Sequence, residues 1–147
     1  MSASVVHTLY FEDLRVGMRE TLMRTVMEDD VVDFARLSGD ANPIHLSDRY
    51  AATTSFGQRI AHGLYTASLI SAILGTRLPG PGAVYRSQTL NFYAPVKIGD
   101  VVTVIVEVVE LVTEGRKVRL HCEAHVDGKV VLEGEAAVSV PGQPKRA

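Results

Sequence analysis

From Ile60 to Leu74 apolar and small residues cover nearly every side of a helical wheel. A helix with that pattern is buried all round and needs other structure wrapped about it. As a helix it spans roughly 22 Å, short of a bilayer core, so it reads as the centre of a globular unit. Gly75 and the run Pro79-Gly80-Pro81-Gly82 are expected to end it in a turn-rich connection. After Gly82 the period changes from helical to alternating. Val118, Leu120, Cys122, Ala124 and Val126 share one face of a predicted strand over Arg116 to Val126, with charged and polar residues between them. Asp127-Gly128 is a strong hairpin signal, and Val130 to Val140 follows with Val130, Leu132, Ala136, Val138 and Val140 on one side. Val84 to Tyr93, Val101 to Leu111 and a shorter stretch near Arg19 to Val26 also read as strands. The expected class is therefore α+β: about five strands, mostly late in the chain, around one long helix.

The first helix is expected after Thr25 as N-cap, with Glu28, Asp29 and Asp30 suiting the positive end of its dipole. Its apolar face would be Val31, Phe34, Ala35 and Leu37. Gly39 can end it, and Pro43 forbids simple continuation, so Gly39 to His45 should be an ordered irregular connection. A short helix follows around Arg49 to Thr53, and the tail from Pro141 should be loose. The 147 residues fit one domain, 1–147, with its core over about 11–141.

Fifteen Lys and Arg against 17 Asp and Glu leave a formal charge of −2, which argues against nucleic acid as the main partner. Cys122 is the only cysteine, so no intrachain disulfide or cysteine-based metal cluster is expected. The N-terminus lacks a cationic start and a sustained apolar stretch and does not read as a signal peptide. The expectation is a cytoplasmic protein that neither spans nor binds a membrane.

Polar residues gather in Ser38-Gly39-Asp40-Ala41-Asn42-Pro43-Ile44-His45. A carboxylate and an imidazole five positions apart across a turn can hold one water from two sides and move protons near neutral pH. On residue chemistry alone a second reading stays open, with Asp40 capping the turn and His45 a satisfied structural histidine. Gly63 near the start of the central helix offers an N–H without an intrahelical acceptor at the positive end of the dipole, which suits an oxyanion. It also permits tight helix-to-sheet packing.

The blocks Ser38-Gly39-Asp40-x-Asn42-Pro43-Ile44-His45, Ala51-Ala52-Thr53 and Ile60-Ala61-His62-Gly63 occur in an order and spacing more specific than any one of them. Together they resemble the signature of MaoC-like (R)-specific enoyl-CoA hydratases. The likeness extends from about Phe11 to Pro141, through Gln88-Thr89-Leu90-Asn91-Phe92 and Pro95-Val96-Lys97-Ile98-Gly99-Asp100. The resemblance implies a hot-dog fold, an antiparallel sheet curled around one central helix, with the Asp-to-His segment in an overhang above the substrate tunnel. It implies hydration of trans-2-enoyl-CoA to (R)-3-hydroxyacyl-CoA, with Asp40 and His45 holding the catalytic water and Asn42 supporting the turn. Gly63 N–H would bind the thioester oxygen, and Ser71 would line the site. Coenzyme A enters as part of the substrate, no cofactor or metal is expected, and the chain should be a homodimer or higher homo-oligomer. The alternatives are a hydratase or dehydratase of carrier-protein, branched or dicarboxylic thioesters, or a noncatalytic acyl-CoA-binding module.

His62 is read as a turn-holding residue outside the catalytic set. His7, His121 and His125 are expected to be solvated, and no His, Asp and Glu spacing suggests a metal site. Tyr65 and Thr66 are expected in the tunnel wall. Gly80-x-Gly82 follows a helix and lacks the rest of a phosphate-binding fingerprint.

Overall fold

In a computed structural model, residues 8–145 are described; His7 lies outside them. Four strands form the body of an antiparallel sheet: β1 (Arg19–Thr25), β4 (Val101–Val112), β5 (Lys117–Val126) and β6 (Lys129–Ser139). β2 (Val84–Gln88) continues the order as β1-β4-β5-β6-β2, and the short β3 (Asn91–Phe92) also pairs with β6. Alternation decides which side each strand buries. Val102, Val104, Val106 and Val108 on β4 and Val118, Leu120, Cys122 and Ala124 on β5 are fully buried. They close over Ile70, Ile73 and Leu74 of the central helix α4 (Gly63–Thr76), and each such side chain contributes roughly 1.5–3 kcal/mol on burial. This is the hot-dog arrangement. Asp127 and Gly128 both take positive φ, 50° and 76°, as a two-residue hairpin turn requires.

Several expectations are corrected. The central helix starts at Gly63 and runs through Gly75 to Thr76, while Ile60 is drawn into an isolated bridge with Lys97. It is not buried all round: Leu64, Ser68, Ser71 and Gly75 form an exposed stripe, because one twisted sheet wraps only one side of a helix. Thr25 ends β1, and the N-cap of α1 (Glu28–Ser38) is Met27, whose N–H donates to Asp30 Oδ2 at 2.9 Å. Val31 and Ala35 are buried on α1, but Leu37 is 74% exposed. At the start of the tail, Phe11 N donates to Pro141 O at 3.0 Å and Gln143 N to Glu12 Oε2 at 3.0 Å.

The expected strand Val84 to Tyr93 is broken at Thr89-Leu90, which raises the strand count to six. Gly134 on β6 explains the break: a Cβ there would lie 1.8 Å from Thr89 O, so only glycine admits the kink. Thr89 N donates to Glu135 O and Glu135 N to Thr89 Oγ1, both at 2.9 Å. The register of β6 also shifts opposite Ala124 and His125, turning Val131 inward at 3% exposure where Val130 was expected. Val131 O then accepts Tyr93 N at 2.8 Å. Kink and bulge together bring Phe92 and Tyr93 beside the start of α4.

Candidate active site

The turn after α1 is built by a relay of short polar side chains. Gly39 caps α1 in the left-handed conformation, φ 80°, which glycine adopts without strain. Ser38 Oγ donates to Phe34 O at 2.7 Å and accepts Asp40 N at 3.1 Å. Asp40 Oδ1 accepts Asn42 N at 3.2 Å, and Asn42 Oδ1 accepts Ile44 N at 3.1 Å. Asn42 is thus the N-cap of a one-turn helix, α2 (Pro43–Leu46), and Pro43 begins that helix rather than merely blocking the previous one. Ser47 Oγ repeats the device for α3 (Asp48–Ala52), accepting Tyr50 N at 3.1 Å.

This relay aims Asp40 and His45 at one cavity. Asp40 Oδ2 lies 4.0 Å from His45 Nε2, too far for a direct hydrogen bond and suited to a bridging water. His45 Nδ1 is 2.7 Å from Ile60 O; a carbonyl only accepts, so Nδ1 carries the proton and Nε2 presents a bare lone pair. Burial, the largest influence, holds the His45 pKa below 6.5, and nearby His62 adds to this, against opposing effects from the Ile60 carbonyl and Asp40. The imidazole is neutral at pH 7. Carboxylate and Nε2 are then two acceptors placed to take the two protons of one water.

Sequence reasoning undervalued two buried residues. His62, 2% exposed, stacks on His45 with ring centroids 3.7 Å apart. Its Nε2–H donates to Asp40 O at 2.9 Å, while Nδ1 is buried without a protein partner among the described residues. One ring therefore touches both members of the pair and backs onto Phe34. Arg59, 7% exposed, donates from Nε to His45 O at 2.7 Å and pairs with Glu28 at 2.8 Å, tying α1 to α2. The available signal was position: Arg59 borders the apolar segment and His62 lies within it, where an ionisable residue is costly unless partnered.

The cavity, of about 710 Å³, has an apolar wall that includes Phe56, Phe92, Ala94 and Leu132. Gly63, the first residue of α4, lies on the same cavity, and its N–H has no backbone or side-chain acceptor among the described residues. A Cβ at Gly63 would sit 2.7 Å from Phe92 Cε1. Thr66 lines the cavity as expected, whereas Tyr65 packs edge-on to Phe34 instead. Asp40, His45 and Gly63 are thus brought together, with Asn42 behind the turn. Ser71 is not: within one chain it lines a separate, shallow depression with Ser68, Tyr85 and Gln88 on the open side of α4.

A sheet wrapped on a central helix, with an Asp–His pair on an overhang at the helix start, defines a class. Residues 15–130 match the MaoC like domain family, and the chain belongs to that family. It is 64% identical over 136 residues to a 3-hydroxybutyryl-CoA dehydratase of Methylorubrum extorquens, covering 92% of this chain and 87% of that protein. To an (R)-specific enoyl-CoA hydratase of Rhodospirillum rubrum it is 52% identical over 143 residues, covering 97% and 99%. Among solved structures, the unliganded R-hydratase PhaJ1 from Pseudomonas aeruginosa superposes with a TM-score of 0.88 at 41% identity, covering 95% of this chain and 92% of that one.

Proposed function

We propose that the protein is an (R)-specific enoyl-CoA hydratase, a hydro-lyase that reversibly adds water to trans-2-enoyl-CoA to give (R)-3-hydroxyacyl-CoA. The observation that carries this is the pair of acceptors, Asp40 Oδ2 and His45 Nε2, held 4.0 Å apart over an apolar cavity that also meets the Gly63 N–H. Asp40 takes a proton from the water as its oxygen bonds to C3, and His45 orients the same water. Electrons move onto the thioester oxygen, where Gly63 N–H at the helix start meets the developing charge. The proton taken from the water returns to C2 as the enolate collapses, so the atoms balance without an external acid. His45 has no Nε2 proton to give in the resting state, which supports returning the proton through the group that removed it. The (R) outcome rests on the resemblance to the named relatives.

The scheme needs no metal or redox cofactor, and a cytoplasmic enzyme of CoA thioesters is proposed. No helix among the described residues is long and apolar enough to cross a membrane. Loss of the enone absorbance of crotonyl-CoA, with chiral analysis of the product, tests the reading. The (R)-alcohol is expected, and an acyl-chain panel run beside matched carrier-protein thioesters separates the nearest rival activity. Tight thioester binding without turnover would leave a binding module and end the hydratase reading.

A homodimer belongs to the same proposal. The open stripe of α4 includes Leu64 at 60% exposure, and the edge strand β2 exposes Val84 and Tyr85 at 50% and 40%. Such surface is costly in a free monomer. Light scattering at micromolar concentration is expected to give at least twice the 16.0 kDa chain mass; an active monomer contradicts this.

A further inference from the structure

On the other side of the sheet from the central helix, His121, Glu123 and His125 alternate along β5 and so share its outer face. None is freely solvated, contrary to the expectation for the two histidines. Glu123 Oε1 lies 3.0 Å from His121 Nε2, and Glu123 Oε2 lies 2.7 Å from His125 Nε2. Glu133 of β6 stands directly opposite Glu123 in the register. One donor atom each from His121, Glu123 and Glu133 falls within 4.8 Å of the other two.

The charge balance of this face points the same way. Arg119 bonds both Glu135 and Glu110, at 2.8 and 3.1 Å, and Glu107 has Arg19 at 4.0 Å. Glu123 and Glu133 have no lysine or arginine within ion-pair distance among the described residues, only the two histidines beside Glu123. Carboxylates directly opposed across two strands repel. A cation between the strands would remove the conflict.

The geometry points to a site for a zinc-class divalent cation, and we propose that His121, Glu123 and Glu133 are its protein ligands. A mixed imidazole and carboxylate set suits a first-row transition metal, while Ca²⁺ and Mg²⁺ take oxygen donors. Bonds of about 2.0–2.2 Å require neighbouring donors only slightly more than 3 Å apart, so the three side chains close in on the ion and the His121 nitrogen that binds it gives up any proton it carries. His125 keeps its bond to the second oxygen of Glu123 and orients that carboxylate, as partners of metal ligands do. Three protein ligands on adjacent strands leave one position for water and pin β5 to β6. The site lies on the outer face of the sheet, away from the side that packs on the central helix, and takes no part in hydration.

Calorimetric titration of metal-free protein with zinc chloride tests this. The Asp40–His45–His62 cluster also brings three donor atoms within 4.8 Å of one another, so an Asp40→Asn/His45→Gln protein is titrated in parallel. Saturable binding is expected to persist in that protein and to be lost in His121→Ala/Glu133→Gln, whose hydratase activity and circular dichroism stay normal. His125→Ala, a milder change, is expected to weaken binding about 10- to 100-fold and keeps the test alive if the double variant misfolds. Zinc should also raise the Tm of the wild type by mass action, and magnesium should not. Absence of saturable binding, an equal response to magnesium, or binding retained without His121 and Glu133 but lost from the pocket variant overturns the proposal.

Discussion

Asp40→Asn and His45→Gln are each expected to slow hydration of crotonyl-CoA by about 10²–10⁴-fold, the range of general acid–base catalysis. The structure makes Asp40→Asn a clean test. Asp40 Oδ1 only accepts Asn42 N, a bond an asparagine carbonyl can replace, so the turn survives while proton acceptance by the side chain is lost. The double variant should lose far less than the product of the single losses, because both groups act on one water. A merely structural role predicts instead a lowered Tm, with activity following the folded fraction. The pH profile adds a second readout. Burial first, and His62 after it, keep the His45 pKa below 6.5. The neutral, competent imidazole therefore persists below pH 6.5, and kcat/KM should fall only as pH drops through that lowered pKa. His45→Gln should abolish that acid limb. Both single variants folded, binding substrate and turning over at the wild-type rate would falsify the mechanism.

Gly63→Pro is expected to reduce kcat by about 10²–10³-fold, the usual loss for one oxyanion donor. Proline suits the first position of a helix, so α4 can keep its start while the N–H is removed. Any side chain at Gly63 meets Phe92, however, since a Cβ would lie 2.7 Å from Phe92 Cε1. Gly63→Ala separates the two effects, because it forces Phe92 aside and keeps the N–H. If the N–H binds the oxyanion, Pro should be much the slower of the two, with KM similar in both. Equal losses in Ala and Pro variants would assign Gly63 to packing against Phe92 alone.

Much of this was legible in the residue order, for reasons that act over a few residues. Alternation in β4, β5 and β6, the Asp127-Gly128 turn, and the Gly39 stop depend on local backbone geometry and a two-faced burial pattern. The motif around Asp40 and His45 is likewise local, a relay of side-chain caps each reaching two or three residues along the chain. What only the tertiary structure decided involves partners distant in sequence. Thr89 breaks the strand because Gly134, far along the chain, leaves space for its carbonyl. The His45 tautomer follows from Ile60 O, and His62 matters because it reaches Asp40 O while stacking on His45. The open stripe of α4 could not be seen from its composition, since an apolar wheel does not record how far a sheet wraps. Ser71 fell on that stripe. Glu133 joined His121 and Glu123 only through the β5–β6 register. Local conformational preference is carried by neighbouring residues, whereas register, burial and side-chain convergence are set by the packing of the whole chain.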